Sequence, residues 1–396
     1  MRPHLAVALL ATPLLAACGG STNGSPAATP APAGNVQPIQ AGAGPANNTV
    51  DGLFTSVTIC VPNTSNCQTI DGVQVDTGSV GLRLLATQVS LTLPRINDAS
   101  GNQVANCAAF MDLSYAWGPM ALADVRMAGE TAASVPIQLM SVPGFPGAPN
   151  SCSQGGTPND SLSSLGARGI LGLGLFRQDC GPACSGAYVP VPPLYFTCPG
   201  GSCAVAAMPV ANQLQNPVWL FSQDNNGLLI QLPSVPPTGT GTLAGSLIFG
   251  IGTQTNNALG SARVYLTTNG GDFTTTYGSG TYTGFLDTGS NGIFFLDDST
   301  IGLPDCPAQD KGYSCPATTM NYTATNIGID GTSAPVSFSI ANAQTLFQTR
   351  NVVFNNLGGP DSGSFDWGMP FFLGRPVFIG IEGQSSPAGI GPFWAF

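Results

Sequence analysis

The sequence predicts a mainly β protein built as two similar lobes. Composition is the first observation: 52 Gly and 34 Pro residues, with only 8% charged residues, disfavour long helices and favour short strands joined by tight turns. An internal repeat is the second observation: residues 75–82 recur as residues 286–293, at a constant offset of 211 residues. Two copies of one strand-and-turn motif, half a chain apart, indicate two lobes of the same construction.

The first residues predict export. Arg2 precedes a mostly apolar run over residues 5–17, which is short for a membrane span and ends in small residues before Cys18. We therefore expect residues 1–17 to be a signal peptide. Its ending resembles the lipobox of bacterial lipoproteins. That resemblance implies a lipid on Cys18 and attachment to the bacterial cell envelope, at the outer membrane if the cell is Gram-negative. An ordinary signal peptide whose cleavage site contains Cys is the alternative.

Residues 18–48 are predicted to be a flexible linker, because they are rich in Ala, Pro, Gly, Ser and Asn and show no hydrophobic periodicity. The folded body is expected to begin near Thr49. A stretch rich in Pro, Gly and Thr at 233–245 divides this body into an N-terminal lobe, 49–232, and a C-terminal lobe, 233–396. Each lobe then carries one copy of the repeated motif.

Ten cysteines remain when Cys18 is set aside, and an even number in an exported chain predicts disulfides. Cys60 and Cys67 flank a short turn and are expected to pair, and Cys306 and Cys315 are expected to form a second local pair. For four others the pairing is open, and a four-thiolate metal site is the alternative that an oxidising compartment disfavours. These four are Cys180, Cys184, Cys198 and Cys203. We expect no metal and no cofactor.

Charge and histidine content exclude several classes of function. The formal net charge is −10, and the ten Lys and Arg residues form no cluster, so nucleic acid is not expected as a partner. The single His, His4, lies in the predicted signal peptide. Without it the chain has no Ser-His-Asp or Cys-His catalytic site and no His-ligated zinc. Carboxylates remain as its acid–base groups.

The repeated motif, Asp-Thr-Gly-Ser, places Asp76 and Asp287 where apolar strands end in sharp turns. Gly lets the backbone pass close to the carboxylate, and the Thr and Ser hydroxyls are placed to bond backbone and carboxylate. One such motif alone is more often a simple turn. Two that meet across a pseudo-twofold axis would bring two carboxylates together, and such a pair shares one proton and can activate a water to hydrolyse an amide.

With these motifs the chain resembles the pepsin-like aspartic peptidases over residues 53–396. Residues 113–120 resemble the flap, with Tyr115 at the place of its Tyr. Residues 169–174 and 366–372 resemble the segments behind the two Asp loops, and residues 217–222 resemble the interlobe crossover. The chain also resembles the bacterial lipoproteins of the DUF3443 family, which are similar to aspartic peptidases.

The resemblance implies a two-lobed pepsin-like acid protease fold, with lobes related by a pseudo-twofold axis and a cleft between them, and a set of site residues. Asp76 and Asp287 would be catalytic. The residues expected to support them are Thr77, Gly78, Ser79, Thr288, Gly289 and Ser290. The residues expected at the flap or the substrate are Tyr115, Trp117, Gly118 and Arg83. The expected activity is that of a monomeric, envelope-anchored aspartic endopeptidase acting on extended peptides or unfolded proteins.

Departures from the family pattern leave alternatives open. Val80 and Gly81 replace the usual Ser-Asn after the first loop, Arg83 replaces a Trp, and Met369 replaces a commonly acidic residue. Arg83 either bonds Tyr115, lies as a cation near the dyad, or is a solvated edge residue. A catalytically inactive pepsin-like lipoprotein that binds or inhibits peptides or proteins is the main alternative function, and a purely structural lipoprotein is a further one.

Overall fold

The computed structural model describes residues 34–186, 190 and 192–396, and the chain is mainly β, as the sequence predicts. The predicted signal peptide, Cys18 and the first part of the predicted linker lie outside these residues. The strands are, in chain order, β1 (Val36–Gly42), β2 (Gly52–Cys60), β3 (Cys67–Asp76), β4 (Val80–Leu85), β5 (Val104–Ala109), β6 (Ser114–Met127), β7 (Glu130–Met140), β8 (Thr157–Pro158), β9 (Gly169–Leu173), β10 (Tyr195–Thr197), β11 (Ala204–Val205), β12 (Gly227–Gln231), β13 (Leu243–Phe249), β14 (Val264–Leu266), β15 (Phe273–Tyr277), β16 (Gly280–Asp287), β17 (Ile293–Leu296), β18 (Met320–Ile327), β19 (Ser333–Ile340), β20 (Gly358–Gly359), β21 (Asp361–Gly368), β22 (Val377–Gly380), β23 (Ser385–Ser386), β24 (Gly389–Ile390) and β25 (Phe393–Ala395). The α-helices of the described residues are α1 (Asn150–Ser153), α2 (Leu162–Leu165), α3 (Asp298–Ile301) and α4 (Ala343–Phe347).

A large sheet runs from the N-terminal lobe into the C-terminal lobe. Its strand order is β11-β10-β5-β6-β7-β4-β9-β3-β2-β1-β13-β12-β22-β25-β14, with β8 beside β6. A second sheet, in the order β19-β18-β15-β16-β21-β17-β20, forms the rest of the C-terminal lobe. Strands β23 and β24 form a separate small ribbon. The first sheet therefore joins the two lobes through its central strands.

The two lobes repeat one arrangement of four strands around each Asp loop. In the N-terminal lobe β3 pairs parallel with β9, β9 pairs antiparallel with β4, and β4 pairs parallel with β7. In the C-terminal lobe β16 pairs parallel with β21, β21 pairs antiparallel with β17, and β17 pairs parallel with β20. The same order of parallel and antiparallel pairings therefore occurs once in each lobe, as expected for two lobes related by a pseudo-twofold axis.

Strand β1 lies inside the segment predicted to be linker, so that part of the prediction is wrong. Its residue Ile39 pairs with Thr55 of β2 on one side and with Gly245 of β13 on the other. Ile39 and Ala41 are buried in the hydrophobic core. The folded part therefore includes residues 36–42, which the Pro- and Gly-rich composition had hidden.

The core of the C-terminal lobe is packed with aromatic side chains. Phe295 lies 5.3 Å from Phe365 and 4.9 Å from Phe338, measured between ring centroids, and Trp367 lies 5.1 Å from Phe338. Trp367 is fully buried on β21, next to the second Asp loop. Offset and edge-to-face aromatic packing of this kind supports the strands behind the loop.

Five disulfides join the ten cysteines of the described residues. Cys60–Cys67 and Cys306–Cys315 form as predicted. The four cysteines whose pairing the sequence left open form Cys180–Cys184 and Cys198–Cys203. All four sulfurs are therefore bonded, which rules out the four-thiolate metal site. Cys107–Cys152 ties β5 to α1. Disulfides of this number indicate an oxidising compartment outside the cytoplasm. None of the helices in the described ranges is long and apolar enough to cross a membrane.

Candidate active site

The carboxylates of the two motifs stand at the ends of equivalent strands. Asp76 is the last residue of β3 and lies opposite Gly172 of β9, and Asp287 is the last residue of β16 and lies opposite Gly368 of β21. A Cβ on Gly172 would approach the Val80 nitrogen to 2.6 Å, and one on Gly368 would approach the Gly292 oxygen to 2.1 Å. Both strands therefore need Gly to pass directly behind the loops.

Threonines of the two loops hold each other across the lobes. The Thr77 hydroxyl donates to the Leu286 carbonyl oxygen at 3.0 Å and accepts from the Thr288 amide at 2.9 Å. The Thr288 hydroxyl donates to the Val75 carbonyl oxygen at 2.8 Å and accepts from the Thr77 amide at 3.1 Å. These four crossed hydrogen bonds are buried and fix the separation of the loops.

The carboxyls of Asp76 and Asp287 accept hydrogen bonds from the same backbone amide. The Gly78 amide donates to Asp76 Oδ1 at 2.8 Å and to Asp287 Oδ1 at 3.1 Å. The Gly289 amide donates to Asp287 Oδ1 at 2.7 Å, and a Cβ at this Gly would meet Asp76 Oδ1 at 2.7 Å. Glycine at both positions thus leaves room for the carboxyl of the opposite loop.

Serine hydroxyls bond the outer oxygens of the pair. The Ser290 hydroxyl donates to Asp287 Oδ2 at 3.0 Å, and the Ser79 hydroxyl donates to Asp76 Oδ2. The structure therefore brings together the eight residues that the two motifs predicted for the dyad and its loops. Each carboxyl accepts one amide and one hydroxyl from its own loop, as the repeat requires.

Burial and the closeness of the two carboxyls keep one proton on the Asp76–Asp287 pair. Burial raises the pKa of Asp287 to about 7, with further contributions from the negative charge of Asp76 and the hydrogen bond between the two carboxyls. Asp76 is only 6% exposed. Two buried carboxyls this close cannot both ionise, so below about pH 7 the dyad keeps one shared proton.

A third buried carboxyl, Asp366, lies beside the second loop and was missed as a site residue. It is on β21, two residues before Gly368, so the two residues lie on the same face of the strand. At Gly368 that face approaches the Ser290 and Gly292 carbonyl oxygens. Burial, and then the charge of Asp287, raise the pKa of Asp366 well above its usual value. The corresponding residue of the first repeat is Ile170, so comparing the two repeats position by position would have singled it out.

Arg83 is buried rather than solvated, so the expectation of a solvated edge residue is wrong. Its side chain is 2% exposed, its Nη1 donates to the Val80 carbonyl oxygen at 2.9 Å, and its Nη2 lies 3.7 Å from Asp179 Oδ2. Within the described part of the chain none of its hydrogen bonds goes to Tyr115, so the expected bond to the flap Tyr is also wrong. Asp179 and Tyr195, which complete this buried group, were not predicted because no local pattern marks them.

The hairpin that resembles the flap is formed by β5 and β6, and its tip precedes Tyr115. Ala109 pairs with Tyr115 at the end of the ladder, and residues 110–113 make the turn. Met111 and Leu113 of this turn are 71% and 77% exposed. The predicted flap residues therefore lie on one strand of the hairpin, and the exposed apolar side chains lie at a tip that the sequence did not mark.

Trp117 and Gly118 are packed within the hairpin. The Trp117 Nε1 donates to the Pro146 carbonyl oxygen at 2.7 Å, and its ring lies 5.2 Å from that of Phe196. A Cβ on Gly118 would lie 2.0 Å from the Leu139 carbonyl oxygen. Both residues therefore support the hairpin from behind. No group of three or more potential metal ligands occurs in the residues that the structure describes.

The fold of the chain is similar to that of a known protein, and its sequence matches a known family. The crystal structure of an aspartic proteinase from Irpex lacteus is similar to this chain with a TM-score of 0.52 and 15% sequence identity, covering 91% of this chain and 96% of that one. At that identity the likeness shows the fold, which is pepsin-like. No curated protein matches the sequence. The family described as "Protein of unknown function (DUF3443)" matches residues 31–396. Since this match covers nearly all of the chain, the protein belongs to the DUF3443 family.

Proposed function

We propose that this protein is an aspartic endopeptidase whose dyad is Asp76 and Asp287. One observation carries the proposal: a single amide, that of Gly78, bonds both carboxyls, so the two acids occupy one buried site. Both loops retain their Thr, Gly and Ser in equivalent hydrogen bonds. A fold does not establish an activity, but this degree of preservation supports one.

The proposed chemistry needs only the dyad and a water molecule. Asp287 carries the proton and Asp76 the negative charge. The water oxygen attacks the peptide carbonyl carbon while Asp76 takes a proton from that water. Asp287 gives its proton to the carbonyl oxygen. The tetrahedral intermediate, which carries two hydroxyls, then collapses. The C–N bond breaks, the leaving amine takes the proton from Asp76, and one of the two hydroxyls returns its proton to Asp287, which leaves a carboxylic acid product. Activity should fall as the pH rises through about 7, where Asp287 loses its proton.

The proposed substrate is an extended peptide or an unfolded protein. An extended backbone can pair with the β5–β6 hairpin, while its side chains enter alternate pockets. The exposed Met111 and Leu113 at the tip suit contact with apolar substrate side chains. We further propose that the protein acts as a monomer held at the cell envelope by a lipid on Cys18, where unfolded exported proteins would be available to it.

The test is cleavage of an unfolded protein by the purified full chain between about pH 3 and pH 7.5. We expect cleavage that pepstatin, an inhibitor of pepsin-like peptidases, blocks, and at least a thousandfold loss in Asp76→Asn and in Asp287→Asn. Asp330→Asn, at an exposed Asp in the turn between β18 and β19, serves as the matched control and should keep full activity.

Two results would contradict the proposal. Cleavage that survives both substitutions would assign the activity to another protein or another site. A wild-type chain that cleaves nothing at any pH, yet binds pepstatin or peptides, would favour the inactive, peptide-binding alternative.

A further inference from the structure

A buried ion pair lies behind the first Asp loop. The side chains of Arg83 and Asp179 are 2% and 4% exposed. Taking two charges out of water costs several kcal/mol per ion, and apolar residues of similar size often fill such a place with no loss of stability. In the second lobe the position equivalent to Arg83 is an apolar residue, Phe294, which pairs with Asp366 of β21, whereas Arg83 pairs with Ile170 of β9. The fold as such therefore does not need the ion pair.

One end of the pair touches the loop. Arg83 Nη1 donates to the Val80 carbonyl oxygen at 2.9 Å. Val80 directly follows Ser79, whose hydroxyl bonds the Asp76 carboxylate. It is followed by Gly81, which has a φ of 94° that favours Gly. The guanidinium thus holds the backbone at the point where the loop returns to β4.

The other end touches the hairpin. Asp179 Oδ1 accepts from the Tyr195 hydroxyl at 2.5 Å, and Asp179 Oδ2 accepts from Asn106 Nδ2 at 3.1 Å. Asn106 is on β5, which leads into the tip of the hairpin, and its carbonyl oxygen accepts from Gln138 Nε2 at 2.6 Å. Gln138 lies opposite Arg83 in the pairing of β4 with β7. A circuit of polar contacts therefore runs from Val80 of the loop through Arg83 and Asp179 to Asn106 of the hairpin.

We propose that Arg83 and Asp179 are positioning residues, which fix the first Asp loop and couple it to the β5–β6 hairpin. This inference rests on the proposed peptidase function. Arg83 acts on Asp76 through Val80 and Ser79, and Asp179 carries the connection to β5. Because loop and hairpin would flank the same substrate, a change in this circuit moves the catalytic carboxylate and the substrate contact together.

The coupling has a characteristic pH dependence. Burial raises the pKa of Asp179 to about 6, although the charge of Arg83 lowers it. The titratable groups that face Asp179 are Arg83 from β4 and Tyr195 from β10, and burial keeps Tyr195 neutral by raising its pKa well above the usual value. The ion pair is therefore complete above about pH 6 and loses its negative partner below it.

The experiment compares kcat and KM of the wild-type chain with those of Asp179→Asn across this range. Asn keeps the shape and loses the charge. We expect the two kcat values to agree within about threefold near pH 4.5 and to differ about tenfold near pH 7, since small misplacements of catalytic groups cost up to about a hundredfold. Taking the ratio at each pH cancels the titration of the dyad, which both proteins share. Arg83→Lys, which cannot reach Val80 and Asp179 together, should lower kcat about tenfold at both pH values.

Asp224→Asn is the control, since Asp224 is also buried and hydrogen-bonded but lies outside the circuit. A ratio that stays constant with pH, or an Asp224→Asn variant that changes in the same way, would overturn the inference while leaving the peptidase proposal intact.

Hydrogen exchange tests the coupling even if the wild-type chain cleaves nothing. At about pH 7 amides of residues 76–85 and 104–115 should exchange about tenfold faster in Asp179→Asn than in the wild-type chain. Unchanged exchange in either segment would refute the connection between loop and hairpin.

Discussion

Thr77 and Thr288 allow a quantitative test of how the two lobes are held together at the dyad. Val is the suitable replacement for Thr77 because it keeps the β-branched shape and removes only the hydroxyl. That hydroxyl serves the Leu286 carbonyl oxygen and the Thr288 amide. A buried backbone group that loses its partner costs about 1–3 kcal/mol. The extra methyl group recovers about 1 kcal/mol of apolar burial. Two such groups cost about 2–6 kcal/mol together, so we expect Thr77→Val to lower the free energy of unfolding by about 1–5 kcal/mol.

Urea unfolding with the disulfides intact is the assay, and Thr69→Val is the matched control. Thr69 is exposed on β3 and shares a hydrogen bond with Thr58 at 2.7 Å, so its loss should cost less than about 0.5 kcal/mol. Thr288→Val should cost as much as Thr77→Val, because it removes the equivalent pair of bonds. The double variant should deviate from additivity by about 0.5 kcal/mol or more, since the loops are interlocked. A cost for Thr77→Val no larger than that of the control would refute the view that these hydroxyls hold the loops together.

Two further predictions concern pH and the strands behind the loops. The pKa of Asp287 is about 7 in the folded protein against 3.8 for the free group, so between these values the folded state binds more protons than the unfolded state. Stability should therefore fall as the pH rises from about 4 to about 7, by about 1.4 kcal/mol for each unit of pKa shift, and Asp287→Asn should flatten this slope in urea unfolding at several pH values. A wild-type stability that rises over this range would contradict the burial of the dyad. Gly172→Ala should abolish cleavage by forcing a Cβ to within 2.6 Å of the Val80 nitrogen, whereas Gly241→Ala, where nothing lies within 4 Å, should leave activity unchanged. Equal activity of the two variants would argue against close passage of β9 behind the loop.

The loops themselves could be predicted because their geometry is local. An Asp, a Thr and a Gly at the end of an apolar strand specify the turn, and the second copy at the same offset specifies its partner. The hydrogen bonds that the Gly78 and Gly289 amides donate to the carboxyls of their own loops follow from that local conformation. Cys60–Cys67 was predictable for the same reason, since its two residues flank one short turn.

Features that depend on distant residues were not predictable. Arg83 finds Asp179 through the folding of strands far apart in the chain, and the sequence around either residue gives no sign of the pair. Cys107–Cys152 likewise joins residues 45 positions apart. Strand β1 escaped recognition because its composition is that of a linker, and only pairing with β2 and β13 makes it a strand.

The two lobes are alike in their Asp loops and differ in the buried polar groups that lie behind them. The two loops are alike in their own residues, so symmetry alone would divide the proton evenly. Their surroundings differ: the guanidinium of Arg83 lies behind the first loop, while the buried acid Asp366 lies behind the second. Neither neighbour is needed to explain the shared proton, because burial is the largest cause that raises the pKa of Asp287, followed by the charge of Asp76 and the hydrogen bond between the two carboxyls. The proton is thus held by the contact between the two loops, and in the proposed mechanism that contact supplies both the acid and the base.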